Sequence, residues 1–170
     1  MQTISINLYE FNELDDQAKE RARQWYRNGA LDYEWWDVIY DDASNVGLQI
    51  TGFDLNRRRS ANGRFIKYAE DCAKRIVAEH GEQCETFKTA SAFLKERAEL
   101  VSKHTDPECS NGVTFEGDEA IEQLESEFLK SILEDYSIQL QMEYEYLLSD
   151  ECVDESIKAN EYTFTIDGKR

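Results

Sequence analysis

Eight apolar residues, Ile121, Leu124, Phe128, Ile132, Tyr136, Leu140, Tyr144 and Leu147, recur three or four positions apart. That spacing holds them on one side of an α-helix and predicts one long amphipathic helix opening at Asp118. Whatever else the chain forms must supply the surface that covers this row.

The remaining elements follow from shorter patterns. Thr3 to Tyr9 alternates, with Ile4, Ile6 and Leu8 on one face, as a half-buried strand does. Asp15 or Asp16 can cap a helix carrying Ala18, Ala22, Trp25 and Tyr26, which Asn28-Gly29 stops. A second helix is expected from Asp32 to about Asn45, with Trp36, Ile39 and Tyr40 toward the core and Glu34, Asp37 and Asp41 toward solvent. Leu48 to Leu55 is strand-like, and Gly52 marks a bulge. The basic turn NRRRSANGR leads to a short returning strand at Phe65–Tyr68. Helices are expected over Ala69–Glu79 and Thr86–Lys103, broken at His80-Gly81, the second with Phe87, Ala90, Leu94, Ala98 and Val101 at helical spacing. A loop carrying the sole proline, Pro107, spans Thr105–Gly117, and Tyr162, Phe164 and Ile166 form a closing strand. Together these predict an α+β fold, mostly helical, in which N- and C-terminal strands join in a small antiparallel sheet.

At 170 residues with 41% apolar content, the chain is read as one domain over residues 1–170 that buries a core without disulfide support. The N-terminus lacks the features of a signal peptide and no run is long enough to span a bilayer, so a soluble, cytoplasmic protein with reduced cysteines is expected. Net charge is −17. Residues 1–103 hold 18 acids and 15 bases, whereas residues 106–161 hold 17 acids and only Lys130 and Lys158 against them. Solubility alone does not require that excess. Halophilic adaptation would spread acid over the whole surface rather than leave the first hundred residues nearly balanced.

Motifs that carry chemistry are sparse. No GxSxG, GK[ST] or post-strand GxGxxG pattern occurs. The pairs His80/Cys84 and His104/Cys109 lack the CxxC spacing of zinc knuckles. Glu34, Asp37, Asp41 and Asp42 do not form a calcium loop, and an acidic helix face is usually solvated. No cofactor and no metal are therefore expected, and Arg57, Arg58, Arg59 and Arg64 stand in a chain too acidic to attract a polyanion.

Acids one helical turn apart, such as Asp118 and Glu122, repel each other. Their Cβ atoms stand about 5–6 Å apart, so a helix can imitate a nucleic-acid strand. The candidate partner-binding residues are Glu34, Asp37, Asp41, Asp42, Glu122, Glu125 and Glu134, with exposed aromatics as short-range anchors.

The stretches LYEFNELDDQAKERARQWYRNG, LDYEWWDVIYDDA and GLQITGFDLNR, over residues 8–57, resemble small acidic proteins encoded by bacteriophages and prophages. AEDCAKRIVAEHGEQCETFKTASAFL and IKANEYTFTIDGK carry the resemblance more loosely. It implies a viral origin and, by analogy with anti-CRISPR and anti-restriction proteins, a non-enzymatic inhibitor. The implied partner is the basic surface of a host nucleic-acid-binding complex, with no direct contact to nucleic acid or membrane and a homodimer allowed. The alternatives are a phage hydrolase or metal-dependent enzyme, and a self-assembling regulatory module.

Overall fold

The computed structural model describes residues 7–110 and 112–170. They form two compact units, one from residues up to Trp35 together with Met142–Arg170, the other from Trp36–Gln141. Where the sequence is read as one domain, the apolar residues gather in two clusters, one in each unit.

In the first unit, β1 (Tyr9–Glu10) pairs antiparallel with β4 (Thr163–Phe164), placing Tyr9 opposite Phe164 and Glu10 opposite Thr163. This is the small sheet joining the two ends of the chain. The expected strand at Thr3–Tyr9 falls largely on residues 1–6, which lie outside the described residues. A 3-10 turn at Phe11–Glu13 follows β1, and Glu13 accepts from the Glu10 backbone N–H at 2.7 Å. Asp15 then caps α1 (Asp16–Arg27) by accepting from Ala18 N at 2.7 Å, satisfying one of the orphan donors of the first turn.

The C-terminal part of this unit contains a helix that the apolar spacing alone did not separate. The chain breaks after Leu147, and Ser149 caps α6 (Asp150–Ala159) by accepting from Cys152 N at 3.3 Å. Phe11, Leu14, Ala18, Ala22, Val153, Ile157 and Phe164 form the buried cluster between these elements. Gly168 adopts φ +76, and a Cβ there would overlap the Ala18 carbonyl, so only glycine allows this close approach of the closing turn to α1.

The second unit begins with α2 (Asp37–Asn45), five residues later than the sequence pattern suggests. Residues 32–36 turn instead: Asp32 N bonds Gly29 O at 3.3 Å and Trp35 N bonds Tyr33 O at 2.9 Å. This non-helical turn sends consecutive tryptophans to different places. Trp35 is buried, 5.9 Å from the Tyr144 ring in the first unit, while Trp36 is half-buried, edge-on to Phe53 at 5.6 Å. The core tryptophan is therefore Trp35, not Trp36.

β2 (Leu48–Asp54) and β3 (Ser60–Phe65) form an antiparallel hairpin whose register shifts between Ile50 and Gly52, the bulge that Gly52 signals. The returning strand thus runs through SANGRF rather than starting at Phe65. Gly63 permits this, because a Cβ there would lie 2.5 Å from Gln49 O and 2.9 Å from Leu133 Cδ2. α3 (Ala69–Glu79) and α4 (Glu85–Lys103) follow, broken at His80-Gly81 as expected. The inward residues of α4 are Thr86, Ala90 and Phe93, whereas Ala98 is exposed, because Phe93 stacks on Phe128 at 4.2 Å and fixes the rotation of the helix.

α5 (Phe115–Leu147) carries the long apolar row and contributes residues through Gln141 to this unit. Leu124, Phe128, Ile132, Tyr136 and Leu140 are buried along it. Phe65, Phe93 and Phe128 form a stack at its centre, with centroids 5.5 and 4.2 Å from Phe128. The whole is an α+β fold dominated by helix. Among the described residues, no helix is long and apolar enough to cross a membrane.

Candidate partner-binding surface

The acids singled out in the sequence fall into two sets once the backbone is placed. Asp37 and Asp41 stand exposed one turn apart on the outer face of α2, on either side of Val38, which is 79% exposed. Glu34 is exposed in the first unit, in the turn that precedes this helix. Glu122 is exposed on α5. The other three are engaged with their own unit.

Asp42 accepts a hydrogen bond from the buried Tyr136 hydroxyl at 2.8 Å, and its other oxygen lies 3.6 Å from His80 Nε2. Burial and the Asp42 carboxylate together push the Tyr136 phenol far above its ordinary range. His80 Nδ1 meets Thr86 Oγ1 at 2.7 Å, while its buried Nε2 has no hydrogen-bond partner among the described residues. Carboxylate, imidazole and hydroxyl thus stand in the order of a hydrolytic triad, but Thr86 is only 1% exposed and 3.6 Å is too long for a hydrogen bond. In the fold the Tyr136–Asp42 bond joins α5 to α2, and the His80–Thr86 bond joins the end of α3 to the start of α4.

Glu134 accepts from Arg59 Nη2 at 2.6 Å, and the same guanidinium gives Nε–H to Ser137 Oγ at 3.1 Å. One arginine of the basic turn is thereby laid against α5, leaving Arg57 and Arg58 exposed. Glu125 is half-buried, 3.9 Å from Arg97 Nε, and desolvation raises its carboxyl above the usual range despite that cation. Arg97 also pairs with Glu70 at 2.7 Å.

A surface that the sequence pattern did not isolate lies at the start of α5. Thr114 caps it, its hydroxyl accepting from Gly117 N at 3.2 Å. Gly117 is buried against His104 and Val113, where any Cβ would lie 2.5 Å from a side-chain carbon of each. With the first turn so pinned, Phe115 projects outward at 75% exposure, and Glu116, Asp118, Glu119 and Glu122 are exposed around it. The helix dipole favours acids in this first turn, though Glu122 lies beyond its reach. The available signal was Thr114 ahead of an acidic run, which marks a helix start three residues before Asp118.

Comparison with known proteins returns no match to a family model, a curated protein or a solved structure. The exposed aromatics are Tyr33, Tyr68, Phe115 and Tyr146, whereas none of the three tryptophans is fully open. Among the described residues no group of three or more His, Cys, Asp or Glu side chains is arranged to hold a metal ion. His80 turns to Thr86 and His104 to Thr114, at 3.3 Å, so the two His/Cys pairs do not converge.

Proposed function

We propose that this chain is a non-enzymatic binding protein that covers the basic surface of a nucleic-acid-handling host complex and blocks access of DNA or RNA to it. The observation carrying this reading is Phe115 standing open among Glu116, Glu119 and Glu122 on the first turns of α5. An aromatic anchor ringed by charge of one sign suits a partner surface that is cationic around an apolar pocket. The small size and net charge of −17 support a host defence complex, of the anti-CRISPR or anti-restriction kind, as the target.

The test begins with affinity purification from a prophage-bearing host to name the target, followed by binding measured against salt. Association should slow as ionic strength rises, since exposed charges are screened over about 8 Å at physiological salt. Replacing Glu116, Glu119 and Glu122 together by Lys should weaken binding at least about tenfold, and Phe115→Ala should raise the dissociation rate. Undiminished binding and inhibition by the triple variant would refute electrostatic recognition through this surface. Glu125 and Glu134 are unsuitable for the experiment, because reversing them would also disturb Arg97 and Arg59.

A further inference from the structure

Trp25, Tyr26 and Tyr162 meet in the first unit as the walls of an open aromatic box. Trp25 stands edge-on to Tyr162 with centroids 5.3 Å apart, and 6.4 Å from Tyr26, while Tyr26 and Tyr162 are 6.3 Å apart. Phe164 backs Trp25 at 5.6 Å. Two walls come from the last turn of α1 and the third from the segment after α6, so the buried cluster beneath holds all three in place.

A guanidinium already sits over this box. Arg170 Cζ lies 4.2 Å from the Tyr162 ring centroid and 4.9 Å from that of Trp25. The rings are half-buried and packed against the buried cluster, whereas Arg170 is exposed. A cavity of about 390 Å³ is lined by these residues with Asn28 and Gly29, and none of its lining side chains carries negative charge. Recognition of the cation therefore rests on the negative faces of the rings, which attract planar, weakly hydrated guanidinium well.

We infer that Trp25, Tyr26 and Tyr162 form a cation cage for a guanidinium side chain, occupied in cis by Arg170 and open to an arginine presented by another polypeptide. The cage uses ring faces rather than carboxylates and belongs to the first unit, so it is independent of the acidic surface of α5. Arg170 acts as a resident competitor: an incoming arginine binds only the fraction of molecules in which the cage is vacated, and its apparent affinity falls by that fraction.

The experiment titrates the full chain with N-acetylarginine amide and with its neutral isostere N-acetylcitrulline amide. The readout is the indole N–H resonance of Trp25, assigned by its loss in Trp25→Phe. Arg170→Ala should bind the arginine derivative about tenfold more tightly than the parent, and the citrulline derivative far more weakly. Tyr162→Leu in the same background should return affinity by about tenfold toward the parent value, with circular dichroism unchanged. If Tyr162→Leu fails to fold, Tyr26→Leu replaces it, since Tyr26 lies on α1 and not in the segment that carries the buried Phe164. Equal binding of arginine and citrulline, no gain in Arg170→Ala, or no binding by that variant would overturn the inference.

Discussion

Arg23 on α1 and Asp154 on α6 form a two-bond fork, Nε to Oδ1 at 2.6 Å and Nη2 to Oδ2 at 2.8 Å, across 131 positions of sequence. The neighbouring Arg27 gives Nε–H to the Leu148 carbonyl at 3.0 Å and pairs with Asp150. Bases of the balanced N-terminal segment thus neutralise acids of the acidic one. Arg59 with Glu134 does the same in the second unit. Charge that is segregated along the chain is interleaved in the fold: residues 1–35 with 142–170 hold 15 acids and 7 bases, and residues 36–141 hold 21 and 12. Each unit is acidic, which weakens the sequence argument against an overall charge adaptation.

The fork predicts a pH-dependent stability. Hydrogen bonding from Arg23 holds the Asp154 carboxyl below its ordinary value, against an opposing effect of burial. Because the folded value is depressed, the contribution is complete above the ordinary carboxylate range and is lost as pH falls through the folded value. Asp154→Asn should cost about 1.5–3 kcal/mol at pH 7, the scale of a hydrogen bond to a charged group. The gap between parent and variant in urea unfolding should close as pH is lowered. Glu125 and Asp135, raised chiefly by burial, act in the opposite sense, so the difference between the two proteins is the quantity to follow.

The adjacent tryptophans should respond unequally. Trp35 is 8% exposed, so Trp35→Ala should cost about 3–5 kcal/mol. Trp36→Ala removes a half-buried ring from Phe53 and should cost about half as much. Equal denaturation midpoints for the two variants would contradict the turn at residues 32–36.

The hairpin depends on one missing side chain. Gly63→Ala would press a methyl onto the Gln49 carbonyl and Leu133, at a cost of about 1–3 kcal/mol. Gly52→Ala meets nothing within 4 Å among the described residues and should stay within about 0.5 kcal/mol of the parent. Thermal unfolding of both variants distinguishes the close approach from a general intolerance of the hairpin.

The thiols should differ in reactivity. Burial pushes the Cys72 thiol up to about 12, only partly offset by Arg75, whereas Cys84 is exposed. Maleimide at pH 8 should label Cys84 promptly and reach Cys72 only in denaturant, because the thiolate is the nucleophile. Peptide mass spectrometry after timed quenching measures both.

Sequence alone determined the features whose cause is local. A cap at Asp15 or Asp16, α3 at Ala69–Glu79, the bulge at Gly52 and the buried row of α5 follow from interactions within a few residues or from one periodicity. Of the candidate acids, the exposure of Asp37, Asp41 and Glu122 was likewise legible in helical phase.

Only the tertiary structure decided which tryptophan is buried, where β3 begins, and which carboxylates remain available. Asp42, Glu125 and Glu134 look like their neighbours in sequence, yet Tyr136, Arg97 and Arg59 approach them from 28 to 94 positions away. A helix's own period says which residues share a face but not which distant cation or phenol will meet it. That pairing is set by the packing of whole elements, through contacts such as Phe93 on Phe128, and the surface charge is what those contacts leave over.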